Sequence, residues 1–369
     1  MQPPLLRGIL NLRTGIRPCW FEQVREANSA YMHAKPAEAG EKLLKDMRPR
    51  RFDKRATILL ITSCALIALT LSACGGSART ASTTTPEPTP TPPPTPTPQI
   101  PTSNHVVIVM EENQSYSTVA GNTTAWPHLN TMLKQGGLAT NYYADAHPSL
   151  PNYFMLTTGQ TLTSNDSSTA VWTVDNIARH MLAAKVTFKV YAEGITQGYL
   201  GGNTGLYVIR HDPFAMLSDV ANNKTVANQV IRPFSQFLTD AANKTVPDFS
   251  FIVPDLNDDA HNGTPLAADA WLQSNVISPL AANPSFQTGG DGLLIVDFDE
   301  AATTDTSHGG GHVVAAFWGP IVKAGFTQTS TTVYQHESML RTIMEVLSLT
   351  NPPGAASAAP DMSEFFLLK

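Results

Sequence analysis

The stretch HVVIVMEEN, residues 105–113, joins an apolar run of strand-forming residues directly to a polar cluster. Successive valine and isoleucine residues are typical of a strand that is covered on both faces, as in a parallel sheet. Glu111, Glu112 and Asn113 follow with no turn residue in between. In open α/β sheets, ligands bind beyond the carboxyl ends of the strands. The stretch therefore predicts a buried strand whose carboxyl end faces a ligand.

The same pattern recurs later in the chain. FSFIVP (residues 249–254) is followed by DLNDDAHNG, and GLLIV (residues 292–296) is followed by DFDEA. Two further strands are predicted at residues 187–194 and 312–320, and two helices at residues 225–244 and 333–349. Alternating strands and helices predict an α/β fold, specifically a three-layer α/β/α sandwich with a mostly parallel central sheet.

Charge divides the chain into two parts. Residues 101–369 contain 11 Lys and Arg against 23 Asp and Glu, a net charge of −12, whereas residues 1–100 are net basic. Because so acidic a domain repels nucleic acid, we expect no nucleic-acid partner. All three cysteines lie before residue 100, so the acidic part has neither disulfides nor thiolate metal sites.

A secretory leader is predicted before the acidic part. A basic stretch (residues 47–55) precedes an uncharged apolar stretch (residues 56–73), which are the n-region and h-region of a signal peptide. LSAC, ending at Cys74, resembles the lipobox of bacterial lipoproteins, in which the cysteine is lipidated. We therefore expect an extracytoplasmic domain that is anchored to a bacterial membrane through lipidated Cys74. A plain transmembrane anchor is the alternative, since 18 apolar residues can just span a bilayer.

The leader sets the predicted domain organisation. Residues 1–46 show no pattern of their own, and we interpret them as a spurious extension upstream of Met47. Residues 47–74 form the lipoprotein signal peptide. Residues 75–103 alternate proline and threonine, which favours a disordered, extended linker. The catalytic domain is predicted to occupy residues 104–369.

Carboxylates and an amide at the predicted strand ends are candidate metal ligands. Glu112 and Asn113 follow the first strand, and Asp299 and Glu300 follow the third if that strand ends at residue 298. Hard divalent cations prefer such oxygen ligands. Taken alone, the first pair is better explained by a solvated turn. The acids of DFDEA favour a metal more strongly, because buried carboxylates are costly without a cation.

The stretch HPSLPNY, residues 147–153, places Ser149 near a predicted helix start. Pro151 suits the first turn of a helix, so Ser149 would lie at or just before the N-cap. There the backbone N–H groups and the helix dipole would stabilise a phosphoryl group on its oxygen. Asn152 would donate to a phosphoryl oxygen. A serine that merely caps the helix is the alternative.

Several histidines are candidates for contact with a substrate. His211 lies in VIRHDPF, and His261 lies in DDAHNG. A lone histidine is more often structural than catalytic. Turn chemistry explains some of the polar residues before His261, which include Asp255, Asp258 and Asp259, and His261 is the member we retain, as a metal ligand or phosphate donor. His308 and His312, in the glycine-rich SHGGGH, form a possible further ligand pair, although a surface loop explains them adequately.

The motifs occur in the order of a known family. VVIVMEENQSY, HPSLPNY, RHDPF, NDDAHNG and LLIVDFDEA resemble those of bacterial and fungal phosphoesterases, a family that groups acid phosphatases with phospholipases C in the alkaline phosphatase superfamily. The resemblance covers about residues 104–350. It implies an alkaline-phosphatase-like α/β/α sandwich and hydrolysis of phosphoric esters with a divalent cation of unknown identity.

The resemblance also implies roles for individual residues. By position, the family's metal ligands match Glu112, Asn113, Asp299 and Glu300. Its nucleophile matches Ser149, with His147 close by. The histidines that contact the phosphate or the leaving group match His211 and His261. The expected reaction is attack by Ser149 on phosphorus, followed by hydrolysis of a phosphoserine intermediate. Protonated histidines would make the site locally positive and favour an acidic working pH.

Three functions remain open from the sequence. The first is an acid-phosphatase-like phosphomonoesterase acting on a small phosphoester. The second is a phospholipase C-like phosphodiesterase, because the predicted tether holds the domain near phospholipid. The third is a non-catalytic surface binding lipoprotein, against which the intact serine, acids and histidines argue.

Overall fold

Eight strands form one sheet in the computed structural model, which describes residues 99–369. Their bounds in chain order are β1 Val106–Glu111, β2 Gly137–Ala139, β3 Phe188–Ala192, β4 Ile231–Pro233, β5 Phe249–Val253, β6 Leu293–Phe298, β7 Ala315–Trp318 and β8 Phe326–Thr327. Their order across the sheet is β4-β3-β5-β1-β6-β7-β2-β8. The first five strands in this spatial order, from β4 to β6, run parallel, and β7 is antiparallel to both of its neighbours. The predicted mostly parallel sheet is confirmed.

Helices surround this sheet in the described part of the chain. Their bounds are α1 Tyr116–Val119, α2 Pro127–Gln135, α3 Ser149–Thr158, α4 Ile177–Ala184, α5 Ser218–Ala221, α6 Lys224–Val230, α7 Phe234–Asn243, α8 Pro265–Leu272, α9 Ser278–Ala281 and α10 His336–Val346. Helix α3 packs on α4 and α10, whereas α2 packs on α8 and α7 packs on α9. No helix among the described residues is both long and apolar enough to cross a membrane.

Strand β1 lies at the centre of the sheet, between β5 and β6. All six of its residues are buried, as are all residues of β5 and β6. Burial at consecutive positions means that both faces of these strands are covered, as in a three-layer α/β/α sandwich. Each fully buried valine or isoleucine contributes about 1.5–3 kcal/mol of hydrophobic free energy, so the central strands are the most strongly held part of the fold.

One predicted element is wrong. Residues 225–244 do not form a single helix, because strand β4 (Ile231–Pro233) separates α6 from α7. Pro233 lacks the N–H group that a helix interior requires, and Ile231 pairs in parallel with Val190 of β3. The short strands β2 and β8 carry too little sequence pattern to predict. The predicted helix near the carboxyl terminus is confirmed as α10.

The predictions for the leader lie outside the described residues. They concern the extension at residues 1–46, the signal peptide with Cys74, and the linker up to residue 98. These remain predictions. The described part corresponds to the predicted catalytic domain and the last residues of the linker.

Candidate active site

Backbone hydrogen bonds join the carboxyl ends of β1 and β6 to the loop that follows β5. The amide of Glu112 donates to the carbonyl of Asp259 (2.8 Å), and the amide of Asp299 donates to the carbonyl of Glu111 (3.1 Å). The amide of Asn113 donates to Asp299 Oδ1 (3.0 Å). Strands that run parallel end at the same edge of a sheet, which brings these residues together although they are distant in the chain.

Asn113 turns the chain sharply after β1. Its φ is +57°, in the left-handed region, where asparagine is tolerated better than most residues. Its side-chain amide donates to Glu112 Oε2 (2.9 Å). The Glu112–Asn113 pair predicted from the sequence is therefore held against Asp299 at the edge of the sheet.

Ser149 is the first residue of α3, and Pro148 is the N-cap. The predicted position, at or just before the N-cap, is thus one residue too early. The Ser149 hydroxyl does not cap the helix. Its Oγ lies 3.2 Å from Glu112 Oε2 and 3.5 Å from Glu300 Oε1, and the residue is only 3% exposed. The hydroxyl therefore faces the acids that follow β1 and β6.

Glu112 lies at the centre of these contacts. It is fully buried, and its carboxylate accepts hydrogen bonds from Ser149, from Asn113 and from the Tyr153 hydroxyl. Burial, together with the negative charge of Asp299, raises the pKa of Glu112 well above its usual range. Burial and the neighbouring charge thus disfavour the ionised form of this carboxyl group.

Glu300 is bound by His147. His147 Nδ1 lies 2.8 Å from Glu300 Oε2, and His147 Nε2 lies 2.8 Å from the carbonyl of Asp305. A carbonyl can only accept, so Nε2 carries a hydrogen, and a single proton bridges Nδ1 and the carboxyl group. Burial and the charge of Asp299 raise the pKa of Glu300 to about 9. His147 thus contacts the acid beside Ser149 and orients it.

His211 lies between two carboxyl groups. Its Nε2 is 3.1 Å from Glu112 Oε1, its Nδ1 is 3.2 Å from Asp259 Oδ2, and its ring stacks on Tyr153 at 5.2 Å. Burial and the charge of Arg210 lower the pKa of His211 to about 3. This shift argues against a positive charge on His211 as the source of a locally positive site.

Asp259 belongs to the site, although the polar residues before His261 are typical of turns and nothing local distinguishes Asp259 among them. Ligand atoms of Glu112, His211 and Asp259 all lie within 4.8 Å of one another. Asp259 Oδ2 and Asp299 Oδ2 are buried and accept no hydrogen bond from the described residues. Such buried, unpartnered carboxylate oxygens are costly unless a cation is present. The donor set of carboxylates with one neutral imidazole fits a divalent metal.

Two other predicted residues have different contacts from those expected. Asn152 is fully buried; its Oδ1 accepts from the amides of Asp145 and Ala146, and its Nδ2 donates to the Ala146 carbonyl (2.8 Å). Its amide thus holds the turn before Ser149 instead of facing the pocket, by which we mean the space beside the Ser149 hydroxyl and the acids that follow β1 and β6. His261 is exposed at the rim, where its Nε2 lies 3.2 Å from Arg210 Nη2.

A second layer of polar residues lies behind Asp299. The Tyr142 hydroxyl donates to Asp297 Oδ2 (2.9 Å), His336 Nδ1 lies 3.4 Å from the same oxygen, and His336 Nε2 lies 2.9 Å from the Asp299 carbonyl. Burial alone would lower the pKa of His336, but Asp297 raises it to about 9. Asp297 therefore forms a buried ion pair away from the pocket, and that pair holds the backbone of Asp299.

Sequence comparisons agree with this geometry. A family model described as "Phosphoesterase family" matches residues 123–350, a range that includes Ser149, His211, Asp299 and Glu300. A phosphatidylinositol-3-phosphatase of Mycobacterium tuberculosis is 30% identical over 264 residues, which are 71% of this chain and 82% of the relative. An acid phosphatase of Aspergillus fumigatus is 31% identical over 215 residues, 56% of this chain and 46% of that protein. The chain thus spans about half the length of this fungal relative.

A solved structure shares the architecture. The lipoteichoic acid synthase LtaP from Listeria monocytogenes superposes with a TM-score of 0.50 at 9% identity, covering 72% of this chain and 76% of its own. At this identity the likeness shows the fold alone. With the family match over most of the described residues, the fold and the site support one conclusion: the chain belongs to the phosphoesterase family and is a hydrolase of phosphoric esters.

Proposed function

We propose that this protein is a metal-dependent phosphomonoesterase in which Ser149 is the nucleophile. The observation that carries the proposal is the position of the Ser149 hydroxyl, which lies at the start of α3 and 3.2 and 3.5 Å from two buried carboxyl groups. A serine hydroxyl needs a neighbouring base or metal to become nucleophilic. A helix N-terminus also stabilises the negative charge that develops on a phosphoryl group.

The acids and the histidine of the pocket would hold the cation. Glu112, Asp259 and Asp299, with His211, offer three carboxylates and one imidazole. Asn113 and Glu300, which are predicted ligands from the sequence, lie in contact with this set through Glu112 and Ser149. A divalent cation bound there supplies a Lewis acid that polarises a phosphoryl oxygen and favours the serine alkoxide.

The residues of the chain would carry the proton transfers. Glu300, oriented by His147 and in its ionised form, accepts the proton of the Ser149 hydroxyl as Oγ forms its bond to phosphorus. The bond from phosphorus to the leaving oxygen breaks, and His261 at the rim, once it holds a proton, donates it to that oxygen. Water then attacks phosphorus and gives a proton to His261, while the bond from phosphorus to Ser149 Oγ breaks and Glu300 returns its proton to that oxygen. Asn152 positions the serine by holding the turn before α3.

Relatives favour a monoester substrate over a diester. The curated relatives are named acid phosphatases and a phosphatidylinositol-3-phosphatase. The second name describes a phosphomonoester carried by a lipid, which would suit an enzyme tethered to a membrane. We therefore include a lipid phosphomonoester among the proposed substrates and keep phosphodiester cleavage as the alternative to be tested.

Attachment to the membrane is part of the proposal. It rests on the basic and apolar leader and on the LSAC sequence that ends at Cys74. Expressed in a bacterium, the full chain should incorporate labelled palmitate and fractionate with membranes. A Cys74→Ser variant should lose the label. Incorporation that persists without Cys74 would place the anchor elsewhere.

The catalytic proposal is tested with the full chain and a panel of esters. The panel contains p-nitrophenyl phosphate, bis-p-nitrophenyl phosphate, phosphatidylcholine and vesicles with phosphatidylinositol 3-phosphate, each with and without a chelator. We expect hydrolysis of the monoesters and its loss with the chelator. Preferred cleavage of the diester or of phosphatidylcholine would favour the phospholipase C-like function, and inactivity on every ester with Mg²⁺, Mn²⁺, Ca²⁺ or Zn²⁺ would favour the binding protein.

The nucleophile is tested by Ser149→Ala. Turnover should fall about 1000-fold or more, as is typical when a nucleophile is removed, while calorimetry shows that a divalent cation still binds. Ser167→Ala, in the exposed part of the loop after α3, is the matched control and should behave as the wild type does. Near-normal turnover in Ser149→Ala would contradict the assignment.

A further inference from the structure

The carboxylate of Asp166 reaches the candidate site from a largely exposed loop between α3 and α4. Its Oδ1 accepts a hydrogen bond from the amide of Leu150 (3.0 Å). Its Oδ2 lies 3.2 Å from Arg210 Nε. Leu150 directly follows Ser149 in the first turn of α3. One carboxylate therefore bridges a backbone donor beside the proposed nucleophile and a guanidinium group.

Arg210 is well placed to act on the pocket. It precedes His211, its side chain is only 17% exposed, and its Nη2 lies 3.2 Å from His261 Nε2. Its charge, together with burial, lowers the pKa of His211. Although Nε is close to Asp166, the contact lacks hydrogen-bond geometry and leaves this buried N–H without an acceptor. The guanidinium thus retains an unused donor that points to a further anionic ligand.

The chemistry of these donors matches a phosphoryl group. A guanidinium fork and a backbone amide at a helix start are both common donors to phosphate oxygens. The rest of the pocket is acidic, because Glu112, Asp299 and Glu300 surround the Ser149 hydroxyl. A positively charged side chain such as Arg210 would assist the metal, since an anionic substrate must approach several carboxyl groups.

We propose that Arg210 binds the phosphoryl oxygens of the substrate, and that Asp166 is an internal competitor which holds Arg210 and the Leu150 amide until a phosphoryl group displaces it. This inference rests on the proposed phosphomonoesterase function and identifies a specificity determinant of the same site. The displacement exchanges one carboxylate charge for the charge of the substrate. A phosphomonoester dianion gains more from Arg210 than a diester, which carries a single negative charge.

The test measures binding of inorganic phosphate to the metal-loaded full chain by calorimetry, and kcat and KM for p-nitrophenyl phosphate. In Arg210→Met, the phosphate Kd and the KM should rise about 10- to 100-fold, which is the usual effect of losing hydrogen bonds from a charged donor. The preference for p-nitrophenyl phosphate over bis-p-nitrophenyl phosphate should fall as well. Arg210→Lys keeps the charge without the fork and should recover part of the affinity.

Asp166→Asn gives the opposite effect. Asparagine keeps an acceptor for the Leu150 amide but removes the charge that competes with phosphate, so the phosphate Kd should decrease about three- to tenfold. Asp175→Asn is the matched control, because it removes one charge from the same loop at an exposed ion pair with Arg179. This control should leave the phosphate Kd unchanged.

Several results would overturn the inference. These are an unchanged phosphate Kd in a folded Arg210→Met variant, or an equal or weaker affinity in Asp166→Asn. Thermal unfolding verifies folding, and Arg210→Lys serves if Arg210→Met fails to fold. Phosphate binding requires no turnover. If no ester is hydrolysed but phosphate affinity responds to both residues, the proposed function fails and this pairing stands; if turnover requires Ser149 and metal but ignores Arg210, only the pairing fails.

Discussion

Two groups of acidic side chains lie at the carboxyl edge of the sheet, and they differ in burial. The pocket cluster, defined as Glu112, His211, Asp259 and Asp299, is buried and contains two carboxylate oxygens without hydrogen bonds. The rim cluster, defined as Glu193, Asp255 and Asp258, also places its carboxylates within 4.8 Å of one another. Each of its three residues is partly exposed.

Two carboxylates of the rim cluster, those of Glu193 and Asp255, accept hydrogen bonds from the protein. Glu193 accepts hydrogen bonds from the Asp255 amide (3.0 Å) and from Trp271 Nε1 (3.2 Å), while Asp255 accepts from the Asn257 amide (2.9 Å). Water reaches all three side chains. Proximity of acids therefore does not by itself indicate a metal site. Burial without hydrogen-bond donors is the stronger indication when several ligand atoms converge, because the fold then bears an uncompensated cost that a cation removes.

The largest expected effect is a loss of activity when acids of the pocket cluster, but not those of the rim cluster, are substituted. Asp299→Asn and Glu112→Gln should each lower kcat/KM for p-nitrophenyl phosphate about 1000-fold, since a preorganised buried charge at the reacting centre is lost. Glu193→Gln and Asp258→Asn, as matched controls, should stay within about threefold of the wild type. Calorimetric titration with divalent cations should show the same division. Equal losses in both clusters would refute the distinction that burial provides.

A smaller effect, on stability, is expected behind the pocket, where Asp297 is paired with His336. The pKa of His336 is raised from its ordinary value to about 9, so this group stabilises the fold fully below about pH 6.5 and loses that contribution as the pH rises through 9. In metal-free protein at pH 6, His336→Gln should lower the free energy of unfolding by about 3 kcal/mol. The difference from wild type should shrink toward pH 9.5.

Urea unfolding at several pH values measures this difference. Burial raises the pKa of Asp145 to about 8, and this carboxyl group also interacts with His336, so the difference reports His336 together with Asp145. Asp297→Asn should remove the same pH-dependent part, because it breaks the pair from the other side. A difference between His336→Gln and wild type that is constant from pH 6 to 9.5 would mean that the pair does not form.

The smallest effect concerns pH and metal affinity. Burial raises the pKa of Asp259 to about 7. Metal ligands must be deprotonated, so cation binding releases the proton of Asp259 below pH 7, and this group should raise the affinity by about tenfold from pH 6 to pH 7. Calorimetry in buffers of different ionisation enthalpy counts the protons released. An affinity that does not change between pH 5 and 7 would exclude direct coordination by Asp259.

Much of the fold and the core of the site could be predicted from local sequence. Apolar runs of valine and isoleucine that end in acids predicted β1, β5 and β6. Because parallel strands end at one edge, Glu112, Asn113, Asp299 and Glu300 were expected to lie together. Proline near the start of α3 likewise predicted a helix at Ser149. The structure brings these residues within hydrogen-bond contact of one another.

The other contacts depend on tertiary structure. Asp259 lies among residues that turns favour for backbone reasons, so nothing local distinguished it from Asp255 or Asp258. Arg210 and Asp166 are 44 positions apart in the numbering of the chain, and their contact depends on the course of a loop without regular structure. Strand β4 was missed because a helical pattern continues on both sides of it. In each case the deciding interaction joins segments that carry no shared periodicity.

The left-handed backbone of Asn113 restricts how this enzyme can diversify. Its φ of +57° suits asparagine, aspartate or glycine, and a β-branched or bulky side chain there would strain the turn that aligns Glu112 with Asp299. Mutant libraries should therefore accept few amino acids at this position even when the loops around Asp166 and His261 vary widely. Substrate preference can then evolve in the loops while the proposed metal ligands keep their positions at the carboxyl ends of β1 and β6.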